Sequence, residues 1–233
     1  MGEQVPTVLI PGLMCSPRLY AEQLPALWRF GPVTVAGHRG ADSVKEIAGQ
    51  ILAAAPPKFS LAGLSMGGYV ALEIMRQAAD RVARLALVDT SARPDTPDKT
   101  AGRRDQMALA EAGRLGEVTD ILYPRWVGPA RRDDPELRWT VRQMADETGP
   151  EAFVRQQTAI MNRPDSRPGL SAIDCQTLVV AGVDDEVTPL DCSEEIANGI
   201  PSARLLVIPD CGHLSTLEQP KILTTALTAW LSQ

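Results

Sequence analysis

The chain lacks a surplus of positive charge: across 233 residues, 23 Lys and Arg stand against 29 Asp and Glu, for a formal net charge of −6. A nucleic-acid or anionic-membrane binder needs a basic face, so both classes are excluded at this level. Cysteine is sparse. Cys15, Cys175, Cys192 and Cys211 lie far apart, with no C-x-x-C pair and no metal-ligand spacing. At this chain length a disulfide scaffold is not expected, no metal or other cofactor is expected, and reduced thiols are the expectation. No apolar run approaches the ~18 residues that span a bilayer. Glu3 stands where a signal peptide needs positive charge, and Pro6 breaks the myristoylation pattern. Internal repeats and low-complexity tracts are absent from the sequence as well. The expectation is a cytoplasmic protein, monomer or homodimer, whose partner is a small-molecule substrate and neither nucleic acid nor membrane.

What is present is a globular composition, 44% hydrophobic and 22% charged, with a regular alternation of patterns. Short apolar runs at 5–10, 33–36, 59–62, 85–88, 177–181 and 204–208 read as strands. They are nearly continuous in apolar character, which predicts a parallel sheet covered on both faces. Between them, 17–28, 43–55, 66–79, 190–198 and 219–231 read as helices, with Ser43-Val-Lys-Glu46 as a capping box. Strand–helix alternation of this kind predicts an α/β fold with an open, mostly parallel sheet. The rhythm breaks once. Residues 94–171 offer no convincing strand and are dense in Arg, Asp and Glu, with Pro94, Pro97, Pro124, Pro129, Pro135, Pro150, Pro164 and Pro168 dividing them into short helices. The expected organisation is a core of residues 1–93 and 172–233 with a helical cap inserted at 94–171.

The strongest local signal is Gly63-Leu-Ser65-Met-Gly67-Gly68, placed after an apolar run and before a helical stretch. That context is what a G-x-S-x-G nucleophile elbow requires: a turn so tight that the residues two before and two after the serine must lack side chains. A serine hydroxyl needs a base to take its proton. The chain has two histidines, His38 and His213. His213 follows the last expected strand in Pro209-Asp-Cys-Gly-His213 and is read as the base; His38 reads as an ordinary loop histidine. The third member should be a carboxylate that holds the imidazole tautomer. Asp184, Asp185 and Glu186 compete after the strand at 177–181, and Asp89 is a fourth candidate; spacing alone does not choose.

Together these blocks resemble the α/β-hydrolase superfamily of small cytosolic serine hydrolases, on its esterase and enol-lactonase-like side. The resemblance is carried by Leu9-Ile-Pro-Gly-Leu13, Gly63–Gly68, Gly182–Pro189, and Gly212-His213 with Glu218-Gln-Pro220. It implies the α/β-hydrolase fold, with the N-terminal hairpin shortened and about six strands. Within G-x-x-D-x-x-x-P it selects Asp185, and it assigns the oxyanion hole to the N–H groups of Leu13 and Met66. Two departures stand out. Pro11-Gly12 replaces the usual His-Gly of the oxyanion loop, and the family's Asp-x-Arg-Gly-x-Gly loop is degraded to Gly37-His-Arg-Gly40-Ala-Asp42. The implied activity is cleavage of a small ester, thioester or lactone through an acyl-enzyme on Ser65. Carbon–carbon hydrolases, perhydrolases, lyases and receptors on this scaffold keep the same triad. Met14, Trp126, Met161 and Leu214 are the expected substrate-binding residues; Met107, Leu122, Tyr123, Trp139, Met144 and Phe153 are further cap residues whose expected role is mostly packing.

Overall fold

In a computed structural model of the chain, which describes residues 5–233, six strands pair side by side into one sheet. They are β1 (Thr7–Ile10), β2 (Val33–Val35), β3 (Phe59–Leu64), β4 (Val82–Val88), β5 (Gln176–Gly182) and β6 (Ala203–Ile208). Their spatial order is β2-β1-β3-β4-β5-β6, and every pairing is parallel. The helices in chain order are α1 (Leu24–Leu27), α2 (Val44–Ala54), α3 (Met66–Ala78), α4 (Pro97–Glu111), α5 (Leu115–Trp126), α6 (Pro135–Thr148), α7 (Pro150–Met161), α8 (Leu190–Gly199), α9 (Ser215–Glu218) and α10 (Pro220–Leu231). This is the expected α/β-hydrolase architecture. Among the described residues, no helix is long and apolar enough to cross a membrane.

Alternation along the strands builds two apolar layers. Leu9, Ala62, Leu64, Ala86, Val88 and Val180 face one way, toward Leu27 of α1 and Leu223, Leu227 and Trp230 of α10. Val8, Ile10, Phe59, Leu61, Leu85, Leu87 and Val179 face the other, toward α2, α3 and α8. Ser43 caps α2 by accepting the Glu46 N–H at 3.2 Å. The expectation of strands buried on both faces fails at the sheet's rims. In β2 and β6 the residues are largely half-exposed, and Leu205 is 36% exposed. An edge strand has a neighbour on one side only, and helices cover it incompletely.

The stretch expected as one helix over 17–28 is broken instead into a 3₁₀ turn at Pro17–Tyr20, the short α1, and a second turn at Trp28–Phe30. Pro25 lies inside it; a proline lacks the N–H and crowds the preceding turn, so no continuous helix forms. Between β4 and β5 stand α4, α5, α6 and α7 and two 3₁₀ turns, with no strand. Pro97, Pro135 and Pro150 open their helices, where the missing N–H costs nothing. Pro124 departs from the expectation, for it lies within the last turn of α5. Only one intrahelical bond is forfeited there, and Leu122, Tyr123 and Trp126 still bury their side chains. Val118 of α5, Val141 of α6 and Phe153 of α7 join the same apolar layer as α1 and α10, while Ala159 and Ile160 of α7 join the opposite one.

Candidate active site

Every chemically interesting loop leaves the C-terminal edge of the sheet, where parallel topology concentrates chain ends. Ser65 follows β3 directly, at φ 55° and ψ −116°, a conformation an L-residue adopts only under constraint. The constraint is close backbone contact. A Cβ at Gly63 would lie 2.2 Å from the Gly67 carbonyl oxygen, and one at Gly67 would lie 2.1 Å from that of Ile10. The turn is pinned on both sides: the Ser65 N–H donates to the Val88 oxygen at 2.9 Å, and Thr90 Oγ1 donates to the Ser65 oxygen at 2.8 Å.

His213 lies between Ser65 and Asp185. Its Nδ1 is 2.7 Å from Asp185 Oδ2, and its Nε2 is 2.7 Å from Ser65 Oγ. A carboxylate only accepts, so Nδ1 carries the proton and Nε2 is left as acceptor for the serine O–H. Asp185 is itself held ionised. Its Oδ1 accepts the Val187 and Thr188 N–H groups at 2.7 and 2.9 Å, and Thr188 Oγ1 donates to Oδ2 at 2.8 Å. Burial raises its pKa, but the imidazole and these donors overcome that and leave it lowered. For His213, burial alone would lower the pKa. The adjacent Asp185, reinforced by the charges of Asp89 and Glu218, reverses the sign and leaves it raised.

The competing acids have other occupations. Exposed Glu186 pairs with Arg132 at 2.6 Å, while Asp184 is only half-buried and makes no bond to His213. Asp89 is fully buried; its carboxylate accepts the Gly182 N–H at 3.1 Å and the Ser215 N–H at 3.2 Å, tying the end of β5 to α9. Burial and the nearby Asp185 push its pKa up to about 8. The residue that secures the histidine loop is Glu218. Its carboxylate accepts from Gly128, Gly212 and Leu214 at 2.7, 3.1 and 3.1 Å. That explains the sequence signal at Glu218, whose role the spacing alone did not reveal.

The loop after β1 carries Leu13. Among the described residues, neither the Leu13 N–H nor the Met66 N–H donates to another protein group, whereas the Met14 N–H is taken by Gln156 Oε1 at 3.1 Å. Two amides beside the serine are thus left for an incoming acceptor. His38 departs from its reading as an ordinary loop histidine: it is 2% exposed, and its Nε2 lies 2.9 Å from the Gly12 oxygen. Burial pushes its pKa down to about 4. Gln156, Thr188 and Thr90 were not singled out from the sequence, because nothing local marks a buried amide or hydroxyl whose partner is distant in the chain.

A cavity of about 280 Å³ opens at Ser65 and His213. Of the four residues expected to bind substrate, Trp126 and Leu214 line it, with Leu13, Leu122, Tyr69 and Ile160. Met14 and Met161 are not in its lining. Met14, at φ 57°, is buried in the apolar layer beneath, and on α7 the cavity-facing position is Ile160. Tyr123, Met144 and Phe153 are core residues, and Trp139 is 58% exposed.

A comparison with family models matches residues 7–226 to the alpha/beta hydrolase family. Among solved structures, a thermophilic esterase from Thermogutta terrifontis superimposes with a TM-score of 0.89 at 31% identity, over 100% of this chain and 91% of that one. An enol-lactonase from Burkholderia xenovorans shares the fold with a TM-score of 0.89 at 24% identity, over 100% and 93%. Among curated proteins, a pimeloyl-(acyl-carrier protein) methyl ester esterase of Nitrosomonas europaea is 26% identical over 86% of this chain and 84% of its own length.

Proposed function

The chain belongs to the α/β hydrolase family and is a hydrolytic enzyme, and on that premise we propose that it cleaves a small carboxylic ester, thioester or lactone through an acyl-enzyme on Ser65. The observation that carries this reading is the unbroken relay from Ser65 Oγ to His213 to Asp185, both links at 2.7 Å. In the first half-reaction Ser65 Oγ attacks the carbonyl carbon while His213 Nε2 takes its proton. The carbonyl oxygen becomes an oxyanion, received by the N–H groups of Leu13 and Met66; such a donor typically contributes ~3 kcal/mol to the transition state. Asp185 holds the Nδ1–H tautomer and stabilises the imidazolium, and does not take the proton. Collapse of the tetrahedral intermediate breaks the bond to the leaving oxygen or sulfur, which receives the proton from His213. Water, activated by the same nitrogen, then releases the acid.

The helices of residues 94–171 act in this reading as a cap. They supply Leu122, Trp126 and Ile160 to the cavity wall, and a cavity of this size suits a modest acyl or alcohol group. The test is turnover of p-nitrophenyl acetate together with covalent capture by a fluorophosphonate. The expected result is hydrolysis, stoichiometric labelling located by peptide mass at Ser65, and loss of both in Ser65→Ala. Labelling elsewhere, or turnover surviving in the folded Ser65→Ala protein, overturns the mechanism.

A further inference from the structure

One wall of the cavity is lined mainly by groups whose free hydrogen-bonding capacity is that of donors, with one acid, Asp98, among them. Its origin is Asp95, whose side chain is 1% exposed and accepts from Arg103 Nε at 3.2 Å, Arg163 Nη1 at 3.0 Å and Thr100 Oγ1 at 2.9 Å. One carboxylate between two guanidinium groups leaves one positive charge over. Arg163 is turned into the fold: it donates to the Arg93 and Ile160 carbonyls and lies 4.3 Å over the Tyr69 ring. The remaining charge therefore reaches the cavity through Arg103, which lines it.

A guanidinium has no acceptor, and that sets the direction of every bond beyond it. Arg103 Nη1 donates to Gln157 Oε1 at 2.8 Å, so Gln157 must present its NH₂, which donates to Gln106 Oε1 at 2.7 Å. Gln106, also in the lining, is left with its own NH₂. Exposed Lys99 and Arg125 add two cations to the lining, against one acid, Asp98. Among the described residues neither cation pairs with a carboxylate; Lys99 meets only the Val187 carbonyl, at 3.3 Å.

We propose that this wall receives a carboxylate, so that the preferred substrate is an ester bearing a free carboxylate away from the scissile bond, such as the hemiester of a dicarboxylic acid. The proposal rests on the hydrolase reading above. Hydrolysis of such a hemiester consumes one water and yields a dicarboxylate, an alcohol and a proton, so no further reactant is needed. Charge-assisted bonds of this kind are stronger than neutral ones and weaken with salt where they are exposed.

The test is the ratio of kcat/KM for monomethyl adipate to that for methyl hexanoate, two esters matched in length and differing in the terminal carboxylate. The expected ratio is at least about tenfold in favour of the hemiester, expressed mainly in KM and falling as salt rises. Gln106→Glu keeps the acceptor that Gln157 requires while placing an anion in the wall. Lys99→Gln with Arg125→Gln removes two exposed cations and leaves the packed interior untouched. Each variant is expected to cut the ratio by about threefold or more. A wild-type ratio near one, or a ratio unmoved in both variants, overturns the carboxylate site. Calorimetry with adipate separates this from failure of the hydrolase reading: adipate binding in a protein that neither turns over esters nor is labelled at Ser65 by a fluorophosphonate would refute the serine mechanism and leave the site standing.

A separate observation concerns His38. The Gly12 carbonyl that receives its Nε2–H at 2.9 Å belongs to the same planar, trans peptide as the Leu13 N–H. Fixing one end of that plane fixes the direction of the other, and donation to the carbonyl strengthens the N–H as a donor. We infer that His38 is a positioning residue for the oxyanion hole, bracing from the loop after β2 the segment in which Pro11 replaces the usual histidine. His38→Leu is expected to lower kcat about tenfold with KM little changed, and to weaken a trifluoromethyl ketone, which forms a serine hemiketal oxyanion, far more than the product acid. His38→Gln, which keeps an N–H donor, should recover most of both losses. A His38→Leu enzyme with kcat and ketone affinity intact, whatever its melting temperature, overturns the assignment.

Discussion

The backbone N–H of His213 donates to the carbonyl oxygen of Trp126 at 3.0 Å, joining the loop that carries the imidazole to the last residue of the helix that lines the cavity. The same junction explains Gly212, where a Cβ would lie 2.4 Å from the Gly128 nitrogen. Glu218 completes it by accepting from Gly128, Gly212 and Leu214. The cavity wall and the His213 imidazole are thus registered by contacts that do not depend on what fills the cavity.

Glu218→Gln tests that junction. An amide has one oxygen where the carboxylate has two, and its NH₂ would face a backbone N–H in a buried site. The expected cost is roughly 1–3 kcal/mol, lowering Tm by about 2–4 °C per kcal/mol in a chain of this size. Thermal unfolding checks the stability, and kcat should fall as the imidazole loses its fixed position. Unchanged Tm and kcat together would remove Glu218 from this role.

Asp185→Asn should be far more damaging than Asp184→Asn. The first replaces the acceptor that fixes the Nδ1–H tautomer, a loss of up to about 10⁴-fold in kcat. The second alters a half-buried side chain that does not touch His213 and should cost less than about threefold. Steady-state kinetics on one p-nitrophenyl ester decides between them; equal, mild effects would return the role to another acid.

The pH profile follows from the sign of the shift on His213. Its pKa is raised, and only the neutral ring can accept the serine proton, so kcat/KM should rise with pH through a midpoint above 6.5. Stability runs the other way. A group raised in the folded state contributes fully below its unfolded pKa, and that contribution is lost as pH rises through the folded value. A rate profile with its midpoint below 6.5 would mean that burial, and not Asp185, dominates the ring. His38, pushed down to about 4, should add no inflection near neutrality.

Gly67→Ala should fail as a fold, because the added methyl meets the Ile10 carbonyl at 2.1 Å, where backbone must move. The expected outcome is insoluble protein or a Tm lowered by about 10 °C or more. A folded Gly67→Ala enzyme of normal Tm would contradict the elbow geometry.

The order of strands and helices, the absence of strands between β4 and β5, and the elbow at Ser65 were legible in the sequence because each is written in local terms. Apolar runs, proline at helix starts, and glycine flanking a serine constrain a few neighbouring residues through sterics alone. The helix expected over 17–28 is broken where Pro25 removes an N–H, and the rim strands are half-exposed because position in a sheet is not a local property of the sequence. The choice among Asp184, Asp185, Glu186 and Asp89 was not open to spacing; it came from resemblance, and tertiary structure supplies its reason in the 2.7 Å approach to His213. The same holds for His38, Gln156, Glu218 and the Asp95–Arg103–Gln157–Gln106 relay. Hydrogen bonding is short-ranged in space and indifferent to separation along the chain, so partners 26 or 142 residues apart leave no mark in either local segment until the sheet brings their loops to one edge.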